Sequence, residues 1–376
     1  MFSRCRDMTQ CPFWARFRVD HVKPILCVEN TKNLENRLSC TSENGCSTSD
    51  NYIDFFLLGD TGGLPPPFYT SYAQKKVAEV VAKISTKSNS TKFILGLGDN
   101  FYFSGVNNVE DRRFLKSFEI PYKDLSLPWY MIAGNHDHLG NISAQIFYTN
   151  HSNFWTFPNQ FYSIKYKFGN SSLLQILMID TIELCGIDIA DSTLLSVIWH
   201  KKVIPDHPAN ITAAEIQWKW IEKELSESKA DYLFVSGHYP IYSISDHGPN
   251  QCLINRLDPL LRKYNVTAYF SGHDHNLQSI LYSNKTDQSS LMYIVSGAGS
   301  RSDQSQKHLN SIPKDSLLFS YPEGGWNPFA LIGFSNGGFV QVSVGPKSGN
   351  YSFYCGSDKT SVVQTFFPRK PKTIKL

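Results

Sequence analysis

A chain of 376 residues, 41% hydrophobic and with a net charge of only +3, can bury one large core or two ordinary ones and is no candidate for disorder. The C-terminal PRKPKTIKL is basic, yet no stretch interleaves Lys or Arg with aromatics in a way that follows a phosphate backbone, so nucleic acid is excluded as the expected partner. No apolar run approaches the roughly 20 residues of a membrane-spanning helix.

Residues 1–49 contain Cys5, Cys11, Cys27, Cys40 and Cys46 among scattered Ser, Thr and Asn without a sustained period. They are read as an extension of unknown role with no core of its own, ahead of one catalytic domain over 50–376. MFSRCRDMTQCPFWARFRVD lacks the apolar core of about 7–15 residues that marks a signal peptide. Eight Asn-x-Ser/Thr sequons, at Asn89, Asn141, Asn150, Asn170, Asn210, Asn265, Asn284 and Asn350, nevertheless favour an N-glycosylated product, secreted or lysosomal.

Organised structure is expected from YIDFFLLGDTGG onward, where apolar and aromatic residues 52–58 stop abruptly at Gly-Asp, as a buried strand entering a loop does. The same grammar recurs in KFILGLGDNFY, PWYMIAGNHDH, DYLFVSGHYP and TAYFSGHDH. Helical periodicity lies between them, over 71–86, 213–227 and 253–264. Beyond residue 290, LMYIVSGAG, FALIGF, FVQVSV and YSFYC read as further strands. Alternating strands and helices predict an α/β domain.

Loops after neighbouring parallel strands meet at one rim, where open α/β sheets hold ligands. Asp60, Asp99, Asn135, His238, His273 and His275 would then offer oxygen and nitrogen donors suited to borderline and hard metals, too many for one four-coordinate ion. A single Gly-Asp is ordinarily a turn, and a single His after a strand ordinarily a solvated or satisfied side chain. Five such ends in order are a different matter, and two metals fit them better than one.

GDTGG (59–63), GDNFY (98–102), GNHDH (134–138), VSGH (235–238) and GHDH (272–275) resemble the five ordered blocks of the purple acid phosphatases, within the calcineurin-like metallophosphoesterase superfamily. GNHDHLGNISAQI, GHYPIYSISDHGP and AYFSGHDHNLQ extend the similarity to the small mammalian-type, tartrate-resistant (type 5-like) form over about 52–345. The resemblance implies a β-sandwich of two mixed sheets flanked by helices, four layers αββα. It implies a ferric ion held by Asp60, Tyr102 and His275, a divalent ion (iron, zinc or manganese) held by Asn135, His238 and His273, and Asp99 between them. Tyr102 is the discriminating residue, because related Ser/Thr phosphatases and nucleases lack it and its phenolate would stabilise and colour Fe(III).

Such a centre implies hydrolysis of phosphate monoesters at acidic pH by attack of a metal-bound hydroxide. Small phosphate monoesters or phosphoproteins are the expected substrates, and a monomer the expected state. His136 and His247 match the family's substrate-pocket histidines, either of which could protonate the leaving oxygen, and His138 is read as an orienting residue. Cys185 and Cys252 match paired family cysteines. The stretch from Cys185 to Asn210 corresponds to an access-restraining loop, here longer and of different composition. The rival readings are a Ser/Thr phosphatase or phosphodiesterase on the same scaffold, and an iron-binding glycoprotein with incidental hydrolysis.

Overall fold

The computed structural model describes residues 30–188, 207–283, 290–323, 327, 329–357 and 359–369. Cys5, Cys11, Cys27, Asn284 and residues 189–206 of the expected loop lie outside them.

The apolar runs that stop at glycine are strands, and the helices fall between them as the periodicity predicts. In chain order the first half contains α1 (Asn30–Ser39), β1 (Cys46–Ser47), β2 (Ile53–Leu58), α2 (Tyr72–Ser85), β3 (Thr91–Gly96), β4 (Trp129–Met131), α3 (Asn135–His138), α4 (Ile142–Tyr148) and β5 (Trp155–Thr156). After β6 (Tyr162–Phe168) and β7 (Ser172–Met178) come α5 (Thr181–Cys185), α6 (Ile211–Glu227), β8 (Tyr232–Ser236), α7 (Gln251–Lys263) and β9 (Ala268–Ser271). The remaining strands are β10 (Leu277–Ser283), β11 (Ser290–Ser296), β12 (Leu317–Tyr321), β13 (Phe339–Val344), β14 (Gly349–Tyr354) and β15 (Thr360–Phe366).

These strands form two mixed sheets, ordered β15-β14-β13-β2-β3-β4-β5 and β1-β6-β7-β8-β9-β11-β10-β12. In the first, β2, β3, β4 and β5 run parallel. In the second, β7, β8, β9 and β11 do. Parallel strands point their C-terminal ends the same way, which is what lets five separate loops share one rim.

The sheets face each other across an aromatic layer. Phe55 of β2 stacks on Phe93 of β3 with centroids 4.8 Å apart and meets Phe234 and Phe270 of the opposite sheet at 6.1 and 6.3 Å. Strand alternation decides the next layer: Tyr232 and Phe234 enter the inter-sheet core, while Leu233 and Val235 face the second cluster with Trp218, Ile221 and Leu225 of α6 and Leu253, Leu257 and Leu261 of α7. On the other side α2 buries Ala73, Val77, Val81 and Ile84, spaced as one helical face. The result is the expected arrangement of two mixed sheets flanked by helices.

One local reading differs. FALIGF is not a strand: a 3₁₀ turn spans Ala330–Ile332, with Phe329 and Phe334 exposed. Asn327 accepts from the Phe329 amide and donates to the Phe334 carbonyl, and Gly333 has φ 88°, so side-chain hydrogen bonding and a left-handed glycine close a turn there. The described end of the N-terminal segment also packs onto the domain. β1 pairs in parallel with β6, Cys40 bonds Cys46 and is buried in the main core, and Arg37, 3% exposed, donates to the carbonyls of Thr149, Ser152 and Trp155.

Candidate metal centre

Each site loop begins at a glycine because no side chain fits there. A Cβ on Gly134 would meet Asp99 Oδ1 at 2.2 Å, and one on Gly272 would meet Asp60 Oδ2 at 2.5 Å. Beside these glycines Asp60, Asp99 and His273 adopt left-handed backbones, with φ of 59°, 51° and 69°. Such conformations cost about 1–2 kcal/mol for most L-residues, and strain of this kind gathers where geometry is dictated by function.

The loops bring the sequence-predicted donors together. Asp60 Oδ1 accepts from the Tyr102 hydroxyl at 3.0 Å, and the Tyr102 hydroxyl oxygen lies 3.0 Å from His275 Nε2. Asp60 Oδ2 accepts the His273 amide at 2.8 Å. Across the rim, His238 Nε2 is 2.9 Å from Asn135 Oδ1 and 3.4 Å from Asp99 Oδ1. Donor atoms of Asp60, Asp99 and His275 lie within 4.8 Å of one another, as do those of Asp99, His238 and His273, so Asp99 belongs to both groups. His136 has Nδ1 2.7 Å from the Phe103 carbonyl and Nε2 3.8 Å from Asp99 Oδ2, which puts it at the pocket. His247, on the rim, has its ring centroid 3.9 Å from that of His273. His138 is turned away, with Nε2 2.8 Å from Asp180.

Asp60, Asp99, Tyr102 and His238 are buried almost completely. Burial, followed by the neighbouring Asp99, pushes the Asp60 carboxyl up to about 8 despite His238. Burial pushes Asp99 up as well, but His238, His136 and His273 outweigh it and hold it at about 2. Burial, with Asp60 and Asp99 beside it, drives the Tyr102 phenol well above its ordinary range. Burial, then His247, drives His273 well below its own, which leaves a neutral imidazole able to donate a lone pair. A dry cluster of two carboxyls and a phenol cannot ionise fully without cations, and its oxygen and imidazole donors are those that iron, zinc and manganese accept. The residues present therefore fit a pair of such ions.

Residues 53–277 match the family model of the calcineurin-like phosphoesterases. Tartrate-resistant acid phosphatase type 5 of rabbit (Oryctolagus cuniculus) is 40% identical over 328 residues, 85% of this chain and 92% of that protein. The human (Homo sapiens) protein of the same name is 39% identical over 325 residues, 85% and 92% of the two chains. The chain belongs to the calcineurin-like phosphoesterases, in their tartrate-resistant acid phosphatase branch. Among solved structures, GAP50, the anchor in the inner membrane complex of Plasmodium, shares the fold with a TM-score of 0.66 at 22% identity, over 86% of this chain and 91% of that one.

In this calcineurin-like phosphoesterase three rim residues went unnoticed in the sequence. Asp188 lies 3.3 Å from His247 Nδ1 and 3.8 Å from His273 Nε2, and its carbonyl accepts from Asn135 Nδ2 at 3.0 Å. Burial opposes its ionisation, but the neighbouring His247 and His273 imidazoles hold its carboxyl below the usual range. Asp274, the residue between the two histidines of GHDH, accepts the His247 amide at 3.0 Å and the Ser243 hydroxyl. Arg301 lies over the Tyr102 ring. A legible signal existed for Asp274 alone, inside the motif itself. The Cys185–Cys252 disulfide expected from the resemblance is formed, and it fixes the chain three residues before Asp188.

Proposed function

We propose that this chain hydrolyses phosphate monoesters at acidic pH with a ferric ion held by Asp60, Tyr102 and His275, a divalent ion held by Asn135, His238 and His273, and Asp99 shared by both. The observation that carries this is the Tyr102 hydroxyl at 3.0 Å from both Asp60 and His275, since a phenol at that position selects Fe(III). When bound, such a pair supplies a water acidified from its bulk pKa of about 15.7 and a Lewis acid for a phosphoryl oxygen.

The chain's own residues set the rest. His238 donates from Nδ1 to the Leu97 carbonyl at 2.8 Å, which leaves Nε2 with its lone pair toward Asn135 and Asp99. His136 likewise uses Nδ1 on a backbone carbonyl and turns Nε2 to the pocket, and His247 is positioned by Asp274 through its amide. These two histidines would pair with the phosphate and hand a proton to the leaving oxygen.

Iron, zinc or manganese would suit the divalent position equally. Small phosphate monoesters or phosphoproteins would be the substrates. The two disulfides, and the exposure of Asn89, Asn141, Asn150, Asn170, Asn210 and Asn265, support a glycosylated product of an oxidising, secreted or lysosomal, route. Among the described residues no helix is long and apolar enough to cross a membrane.

Tyr102→Phe tests the assignment. The visible absorption band of the iron-loaded protein is expected to vanish while the aromatic packing stays in place. A band unchanged by the substitution would remove Tyr102 from the ligand set, and turnover of p-nitrophenyl phosphate absent from fully loaded parent protein would reject the activity.

A further inference from the structure

Arg301 is 4% exposed, and among the described residues its side chain makes no hydrogen bond or ion pair. Its Nη2 is buried without a hydrogen-bond partner. The guanidinium carbon lies 3.7 Å from the centroid of the Tyr102 ring and 5.1 Å from that of Phe103. Burying a cation with no acceptor for its N–H groups is costly, and native interiors rarely leave such a group without a purpose.

Stacking accounts for only part of this guanidinium. The guanidinium carbon sits over the Tyr102 ring, whereas all five N–H donors of an arginine lie in the guanidinium plane and point outward from its edge. The backbone around it is held on both sides of the candidate centre. Ser300 Oγ donates to the Asp60 carbonyl at 2.5 Å, the Asp303 amide donates to the His275 carbonyl at 2.6 Å, and the Ser300 carbonyl accepts from Ser71 Oγ. Asp303 in turn accepts from Ser245 Oγ at 2.9 Å. Arg301 is thus fixed beside the proposed ferric position by the same loops that carry Asp60 and His275, with a buried donor that no described residue satisfies. An oxyanion from outside the chain is the acceptor that matches a guanidinium in both charge and geometry.

Resting on the phosphatase reading above, we propose that Arg301 is a phosphate-binding residue of the site: it donates in its own plane to a phosphoryl oxygen of the monoester while its face stays on Tyr102. Two carboxylates and a phenolate leave a trivalent–divalent pair net positive, and the guanidinium adds to that charge, which suits a dianionic ligand. Lysine would keep the charge and lose the planar fork, so the two contributions separate.

The test uses the metal-loaded full chain with inorganic phosphate as the probe, its dissociation constant read by calorimetry for the parent, Arg301→Met and Arg301→Lys. Metal content and the KM and kcat for p-nitrophenyl phosphate accompany it. Phosphate affinity in Arg301→Met should fall roughly tenfold to a hundredfold at unchanged metal content, with a matching rise in KM and a smaller loss in Arg301→Lys. Affinity within about twofold of the parent in fully loaded Arg301→Met would overturn the assignment. Loss of metal from both variants would also overturn it, since Arg301 would then support the Tyr102 loop and not the substrate. If the loaded parent neither binds phosphate nor turns over the ester, the phosphatase reading fails first; a working parent with an indifferent Arg301→Met sinks this inference alone.

Discussion

Replacing Asp99 by alanine is expected to empty both metal positions and to lower kcat by at least about a thousandfold, beyond the 10–100-fold that losing an outer hydrogen-bond partner usually costs. The reason is geometric. Asp99 is the one residue common to both donor groups, its Oδ1 3.4 Å from His238 Nε2, and His136 reaches it through both backbone and ring. No other carboxylate among the described residues belongs to both the Asp60 and the His238 groups. Metal analysis by atomic emission and turnover of p-nitrophenyl phosphate would be measured on the same preparation, with circular dichroism to establish that the fold persists. One ion retained at full occupancy would mean that the two positions are independent and that Asp99 does not link them.

The second large effect is on stability. Phe55→Ala removes a fully buried ring that stacks on Phe93 within its own sheet and meets Phe234 and Phe270 edge-on from the other. Truncation of such a side chain loses its transfer free energy and leaves a cavity between two sheets that cannot close independently, at a cost of about 3–5 kcal/mol. A urea midpoint measured without metal would show it directly. β2 carries both Phe55 and the loop of Asp60, so metal affinity should weaken as well. A loss below about 1 kcal/mol would mean that the sheets do not depend on this aromatic layer.

Much of the site was legible because one local signal repeats. A buried strand, a glycine and a polar residue announce a rim position, and five of them in α/β alternation converge once the strands are parallel. Asp60, Asp99, Asn135, His238, His273 and His275 all carry this signature; Tyr102 does not, and only the resemblance singled it out. Asp188 and Arg301 had no such help. Each reaches the rim from a loop whose path is set by tertiary contacts: Asp188 by the Cys185–Cys252 disulfide, Arg301 by Ser300 and Asp303 bonding to Asp60 and His275.

The same limit explains the remaining differences in the fold. FALIGF has the composition of a strand, but Asn327 and Gly333 at its flanks decide for a turn. The short β1 has no periodicity to detect, and its place follows from Cys40–Cys46 and from pairing with a strand far along the chain.

A metal determination and a visible spectrum on one purified, metal-loaded preparation bear most directly on the dinuclear centre. Two ions per chain, one of them ferric iron with a visible absorption band that Tyr102→Phe removes, is the result expected. A single ion per chain after loading, or an iron-containing protein without colour, would contradict it.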